Sequence, residues 1–295
     1  MGILSRLFGK KQEGNNVRKR SNQPDVVDIQ NQDEKMNWAM EKSRLTLHYF
    51  KKCLKNPNPD QQYFSIKVRI EDKGKVEHIW LNEPTFDNDN NLFGIVGNKP
   101  IDVDSIKQNQ KIGVEEEQVS DWMIVENGRL IGGYTIRAIR DGLSGKDLNN
   151  FDRGLGGMMV DSGEDYFLPD DSTPEGAIVK LEHAFNEDNI EKAMECKDFR
   201  KEAELMLTKM GRTELGAEII DKTAEVLQLS FLKSLQDNGI PKFDKLKQAF
   251  PKREKISDNH MIITEVCYYP DGGHSIQRLN TYKTENGWKV LSPEG

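Results

Sequence analysis

The chain has 295 residues, enough for two domains of ordinary size, and its 36% hydrophobic and 31% charged residues make it globular on the polar side, neither disordered throughout nor membrane-embedded. The formal net charge is −7, yet residues 1–20 set Arg6, Lys10, Lys11, Arg18, Lys19 and Arg20 against Glu13 alone, a local +5 that leaves −12 for the remainder. A body this acidic repels phosphates and argues against nucleic acid as a partner.

No run reaches the ~20 apolar residues of a membrane helix. The patch Ile3-Leu4 with Leu7-Phe8 is broken by Ser5-Arg6 and followed by Gly9-Lys10-Lys11, so it lacks the continuous core of a secretory signal. These features place the chain in the cytoplasm. Residues 1–32 read as a flexible basic tail, with Ile3, Leu4, Leu7 and Phe8 on one helical face. Contact of residues 1–12 with an anionic membrane is the alternative to a frayed leader, and Arg6 at the sixth position misses the myristoylation pattern. Cys53, Cys196 and Cys267 lie far apart, with no C-x-x-C and no nearby histidine pair. They read as reduced, buried thiols, and no metal or cofactor is expected from them.

The first module spans residues 33–142. A helix starts at Asp33, carries Met36, Met40, Leu47, Phe50 and Leu54 at three- and four-residue spacing, and stops at Asn56-Pro57-Asn58-Pro59. Phe64, Ile66, Val68 and Ile70 then alternate with Ser65, Lys67 and Arg69 up to the turn Asp72-Lys73-Gly74, which returns the chain through Val76–Leu81. Asp87 to Asn91 suggests a calcium loop, but Leu92 stands where that loop needs glycine and Asn98 where it needs glutamate. Leu92–Val96 makes another strand, closed by Gly97-Asn98-Lys99-Pro100, and Glu115-Glu116-Glu117 reads as a solvated loop. Asn127-Gly128 supplies the positive φ angles of a type I′ turn, so Trp122–Val125 and Leu130–Ile139 should pair as a hairpin, with Gly132-Gly133 as a bulge or close approach.

Glu77-His78-Ile79-Trp80, Phe93-Gly94, Gly97-Asn98-Lys99-Pro100, Asp121-Trp122 and Gly128 with Gly132-Gly133-Tyr134-Thr135 together resemble the motif series of the bacterial domain-of-unknown-function family 2314. The resemblance implies a small α+β domain, a helix followed by a strongly bent antiparallel sheet. It brings no established reaction and no catalytic residue. Candidate binding residues are His78, Trp80, Asn98, Asp121, Trp122 and Tyr134 here, with Glu265 in the second module.

Residues 143–173 are rich in Gly and Asp and read as a linker; Gly154-Leu155-Gly156-Gly157 lacks the preceding strand and following Lys-Ser/Thr of a phosphate loop. The second module covers residues 174–295. Thr173 caps a helix that opens on Pro174 and buries Ala177, Ile178, Leu181, Ala184 and Phe185, leaving His183 on its polar side. Helical regions at 190–210 and 217–235 come next, then Met261–Tyr269, Ser275–Tyr282 and Trp288–Leu291 as a meander. This order looks like the nuclear-transport-factor-2-like cone fold, which implies a curved sheet wrapped by helices around a pocket. Phe243, Leu246 and Phe250 recur at helical spacing where that fold needs a strand.

The fold class is α+β throughout. Acid–base chemistry in such a cone needs a carboxylate or histidine aimed into it. By strand parity the candidates are Glu265, on the face of Met261, Ile263 and Cys267, and His260, and neither is expected to sit beside a second ionisable group that would tune it. The sequence therefore favours a non-catalytic interaction or regulatory module with an unknown protein partner, toxin neutralisation being one version. The alternative is a small-ligand binder or an isomerase or hydratase using the second module's pocket.

Overall fold

The structure is a computed structural model that describes residues 26–87, 89, 91–161, 163–212 and 216–294, with side chains described from residue 33. The patch within residues 1–12 lies outside the described residues, as does most of the basic tail. The chain forms two compact units, residues 1–164 and 165–295.

Unit 1 contains α1 (Val26–Leu45), α2 (Leu47–Lys55), β1 (Gln61–Asp72), β2 (Lys75–Phe86), β3 (Leu92–Val96), β4 (Lys111–Val114), β5 (Val119–Glu126), β6 (Arg129–Gly132), α3 (Tyr134–Asp141) and α4 (Gly145–Gly154). Its antiparallel sheet runs β4-β3-β2-β1-β5-β6. The alternation of β1 sets the two faces. Ile66 opposes Leu81 of β2 and Trp122 of β5, and this face meets α2 where Phe50 stands edge-on to Phe64 with ring centroids 5.9 Å apart. The other face gathers Trp80, Met123, Leu130, Ile136 and Leu155 into a second core patch. The single helix read from Asp33 is two helices broken at Thr46, whose hydroxyl donates to Lys42 O at 2.8 Å. The break leaves Ser43 O to accept the Trp122 indole N–H at 3.0 Å, which ties the helix to the sheet.

The hairpin at Asn127-Gly128 has φ of 48° and 74°, the left-handed pair that a type I′ turn requires. Its second strand is much shorter than its apolar run implied. β6 stops at Gly132, where φ is 67°, Gly133 comes next at 61°, and Tyr134 to Asp141 is helix, not strand. The turn admits only glycine at 132, because a Cβ there would lie 2.5 Å from Trp122 Cζ3. The stretch read as a linker holds α4 and supplies Leu155 to the core of unit 1, so the expected border at 142 falls inside this unit.

Unit 2 contains α5 (Pro174–Asn186), α6 (Ile190–Glu195), α7 (Phe199–Lys209), α8 (Ala217–Asn238), β7 (Lys247–Ser257), β8 (His260–Tyr268), β9 (His274–Thr284) and β10 (Gly287–Pro293). Thr173 Oγ1 accepts from Gly176 N at 2.9 Å, the cap that Thr-Pro implied. The strands form a meander ordered β10-β9-β8-β7, all antiparallel. The helical spacing of Phe243, Leu246 and Phe250 misleads. Lys247–Ser257 pairs with β8, Phe250 faces inward against Phe167 at 5.4 Å, and Phe243 lies before the strand, stacked on Phe185. The helical region at 190–210 is likewise split at Cys196–Asp198, where Asp198 caps α7 by accepting from Lys201 N at 2.8 Å.

Candidate functional site

In unit 1 the strand register sets Trp80, Lys67 and Asp121 in one row across β2, β1 and β5. Asp121 is fully buried, and its carboxylate accepts from its neighbour Trp122 N at 2.9 Å, Tyr134 N at 3.0 Å, Thr135 N at 2.8 Å and Thr135 Oγ1 at 2.5 Å. A carboxylate there satisfies the orphan donors at the start of α3 and complements its dipole. Burial pushes the Asp121 carboxyl up, opposed by the Thr135 hydrogen bond and then by Lys67. Burial lowers the Lys67 ammonium, opposed by Asp121; its Nζ lies 5.6 Å over the Trp80 ring and 3.3 Å from Thr135 Oγ1.

His78 stands two residues from Trp80 on the same face, its Nδ1 2.8 Å from Ser120 Oγ. Burial first, then the charges of Lys67 and Arg69, lowers its pKa to about 4, so the ring is neutral at pH 7. Asn98 Oδ1 accepts from Trp80 N at 3.3 Å, and Glu77 accepts from the backbone of Ile101, Asp102 and Val103. Tyr134 meets Trp122 edge-on at 5.6 Å. His78, Trp80, Asn98, Asp121, Trp122 and Tyr134 thus belong to one unit and engage the backbone and rings that hold its strands, loops and α3 in place. An open groove elsewhere in the unit is lined by Thr85, Phe86, Asp87, Phe93, Lys111, Ile112 and Gly113. Its carboxylate, Asp87, accepts from Asp89 N, Asn91 N and Asn91 Nδ2, which closes the turn that resembled a calcium loop.

Glu265 lies in unit 2 with different company. It is 0% exposed on β8, opposite Gln277 of β9, and Cys267 on the same face is opposite Gln248 of β7. From α5, Glu182, 3% exposed, reaches the same spot, and donor atoms of Glu182, Glu265 and Cys267 lie within 4.8 Å of one another. The reading that Glu265 has no ionisable neighbour is therefore corrected. Its neighbour arrives from a helix 83 positions earlier in sequence, which strand parity cannot reveal. Gln248 Nε2 donates to Glu265 Oε1 at 3.0 Å and also to Glu182 Oε2, while Gln277 Nε2 donates to Glu265 Oε2. Cys267 Sγ–H points to Glu265 Oε1 at 3.5 Å. Burial, then the Glu265 charge, raises the Glu182 carboxyl to about 10, and burial with both carboxylates raises the Cys267 thiol strongly.

The signal for Glu182 was present in α5. Glu175 and Glu182 stand seven residues apart within an apolar face, and both are buried. Glu175 meets the guanidinium of Arg253 in a two-pronged pair at 2.9 and 2.7 Å. Glu182 meets another acid.

Fold and site together define an α+β chain of two units, the first built around a bent six-stranded sheet and its motif series. Residues 33–158, within the first unit, match the model of the family described as "Uncharacterized protein conserved in bacteria (DUF2314)". The uncharacterized protein YegJ of Escherichia coli is 35% identical over 77 residues, covering 26% of this chain and 50% of that protein. A Neisseria meningitidis serogroup B protein with an ankyrin-repeat name is 28% identical over 144 residues, 46% of this chain and 56% of that one. The chain spans about half the length of the curated relatives it matches. No solved structure matches it.

Proposed function

We propose that the protein is a non-catalytic interaction module of the cytoplasm that holds a protein partner against α8. One observation carries the reading. α8 runs for 22 residues, buries only Leu235 fully, and leaves Ile219, Val226 and Leu229 at 46%, 63% and 66% exposure. At 100° per residue these three fall within roughly 80° of arc, on the side away from Phe231, which packs on Phe185 and Phe199. Such a stripe is the anchor pattern of a helix laid into an apolar groove. The −12 balance after residue 20 favours a basic rim on that groove, as a neutralised toxin would offer. Within the unit 1 motif, the carboxylates of Asp121 and Glu77 support the same reading, since they are engaged in holding α3 and the loop at Ile101–Val103. The name of the Neisseria relative, a putative ankyrin repeat protein, is a loose pointer in the same direction. We read unit 2 as a cone of the nuclear-transport-factor-2 type on the order of its helices and meander.

The test is site-specific photo-crosslinking in the native cell. A photoreactive residue at position 226 of the full chain should give one discrete heavier adduct, which Leu229→Lys abolishes and a probe at exposed position 75 does not reproduce. No adduct at position 226, or one indifferent to Leu229→Lys, refutes the proposal.

A further inference from the structure

The buried cluster of Glu182, Glu265 and Cys267 in unit 2 has no place in an interaction role. We infer that these three side chains form a structural site for one divalent transition-metal ion, zinc by donor type, with Gln248 and Gln277 orienting the carboxylates. Charge calls for a cation. Two carboxylates inside a protein are tolerated when a cation or several donors offset them. Glu175, two helical turns earlier, has Arg253, whereas the charge acting on Glu182 is that of Glu265. An unmet acceptor points the same way. Glu182 Oε1 is buried and receives no donor group, although its Oε2 receives Gln248 and its carboxyl lies within hydrogen-bond reach of the Glu265 carboxyl.

The dimensions also fit. A tetrahedral zinc with Zn–S of about 2.3 Å and Zn–O of about 2.0–2.2 Å has an S···O edge of roughly 3.5–3.7 Å. Cys267 Sγ and Glu265 Oε1 are 3.5 Å apart already, and the Glu182 donor closes the triangle within 4.8 Å. Mixed thiolate and carboxylate donors suit zinc, where a set of oxygens alone would suit magnesium or calcium. Gln248, whose Nε2 lies within hydrogen-bond distance of both carboxylates, holds them in place as a supporting partner and not as a ligand. Metal entry expels the thiol proton and any proton shared by the carboxyls, so one doubly charged cation replaces protons that burial now holds in place. The burial that leaves these groups out of direct reach of solvent identifies a closed, structural site loaded as unit 2 folds.

The test uses the full, untagged chain purified from zinc-supplemented cells. Elemental analysis should find one zinc per chain, and the cobalt-substituted protein should show sulfur-to-metal charge-transfer absorption. Cys267→Ser should abolish that absorption, whereas Cys196→Ser, at the other buried thiol of unit 2, should leave it unchanged. Gln277→Leu should weaken zinc retention against a chelator by roughly 10- to 100-fold, as loss of an orienting partner does. A wild-type chain that holds neither zinc nor cobalt overturns the inference. So does metal retained unchanged in Cys267→Ser. Should Glu182→Gln raise the melting temperature of the chain as purified, the two carboxyls share a proton in place of a metal, and the inference is equally overturned.

Discussion

Removing the Asp121 carboxylate should damage unit 1 severely, by an amount that the structure allows to be worked out. Its Oδ1 serves Trp122 N and Tyr134 N, and its Oδ2 serves Thr135 N and Thr135 Oγ1. Asp121→Ala leaves the buried N–H groups of Tyr134 and Thr135 without their acceptor, at about 1–3 kcal/mol each, and deprives Lys67 of its countercharge. The total is about 3–5 kcal/mol, the scale of breaking one side of a buried ion pair. Asp121→Asn keeps one acceptor oxygen but turns an NH2 group toward one of the two donor pairs, so it should lose about half as much. The assay is urea unfolding of the full chain followed by tryptophan fluorescence, in which Trp38, Trp80 and Trp122 report on unit 1 and Trp288 on unit 2. With an m value of about 2 kcal/mol/M, Asp121→Ala should lower the unit 1 midpoint by about 2 M and leave the unit 2 transition in place. A loss under about 1 kcal/mol, or equal losses for Asn and Ala, would show that Asp121 does not hold α3 and would remove the structural account of the motif.

Two more outcomes concern the same unit. Gly132→Ala places a Cβ 2.5 Å from Trp122 Cζ3 at φ 67° and should cost about 2–5 kcal/mol, while Gly128→Ala, at φ 74° with open space around it, should cost only about 1–2; near-equal costs in urea melts would refute the close-approach reading. His78, lowered to about 4 in the folded chain against an ordinary value near 6.5, binds fewer protons folded than unfolded between those pH values. Stability from this group is complete above about pH 6.5 and lost as pH falls toward 4; discounted for the ring's partial exposure the loss is about 1–2 kcal/mol, and His78→Gln should flatten that part of the stability profile.

Local chemistry was legible and pairing between distant elements was not. Asn127-Gly128 and Thr173-Pro174 act through neighbours in sequence, and both form as their residue types imply. The run Tyr134-Thr135-Ile136 with Ile139 has strand propensity, yet becomes helix, because two left-handed glycines turn the chain and Asp121, thirteen positions before Tyr134, caps the new helix. Phe243, Leu246 and Phe250 sit at helical intervals, but Phe250 is selected by a sheet position beside Phe167 and Phe243 by a ring on α5. Strand parity placed Glu265 with Ile263 and Cys267 on one buried face. Nothing local announced that Glu182 would meet them, although an acid in the apolar face of α5 was already anomalous.

Among the described residues acids are buried in three ways, and the contrast among them sets the expected pH response of unit 2. Asp121 is offset by four donors and a nearby ammonium, Glu175 by a two-pronged guanidinium, and both arrangements turn a large desolvation penalty into a fixed local geometry. Glu182 and Glu265 share one glutamine amide, and Glu265 alone receives a second glutamine and a thiol that is itself an acid, so in the absence of a bound cation at least one carboxyl of the pair must keep its proton at neutral pH. A proton held that way lowers stability as pH rises, since the unfolded carboxyl releases it freely above about 4.5 while the folded one does not. A metal ion reverses the sign, because it binds the deprotonated groups and tightens as pH rises. The slope of unit 2 stability between about pH 5 and 8 therefore separates the two states: falling for the proton-sharing pair, rising for the metal site.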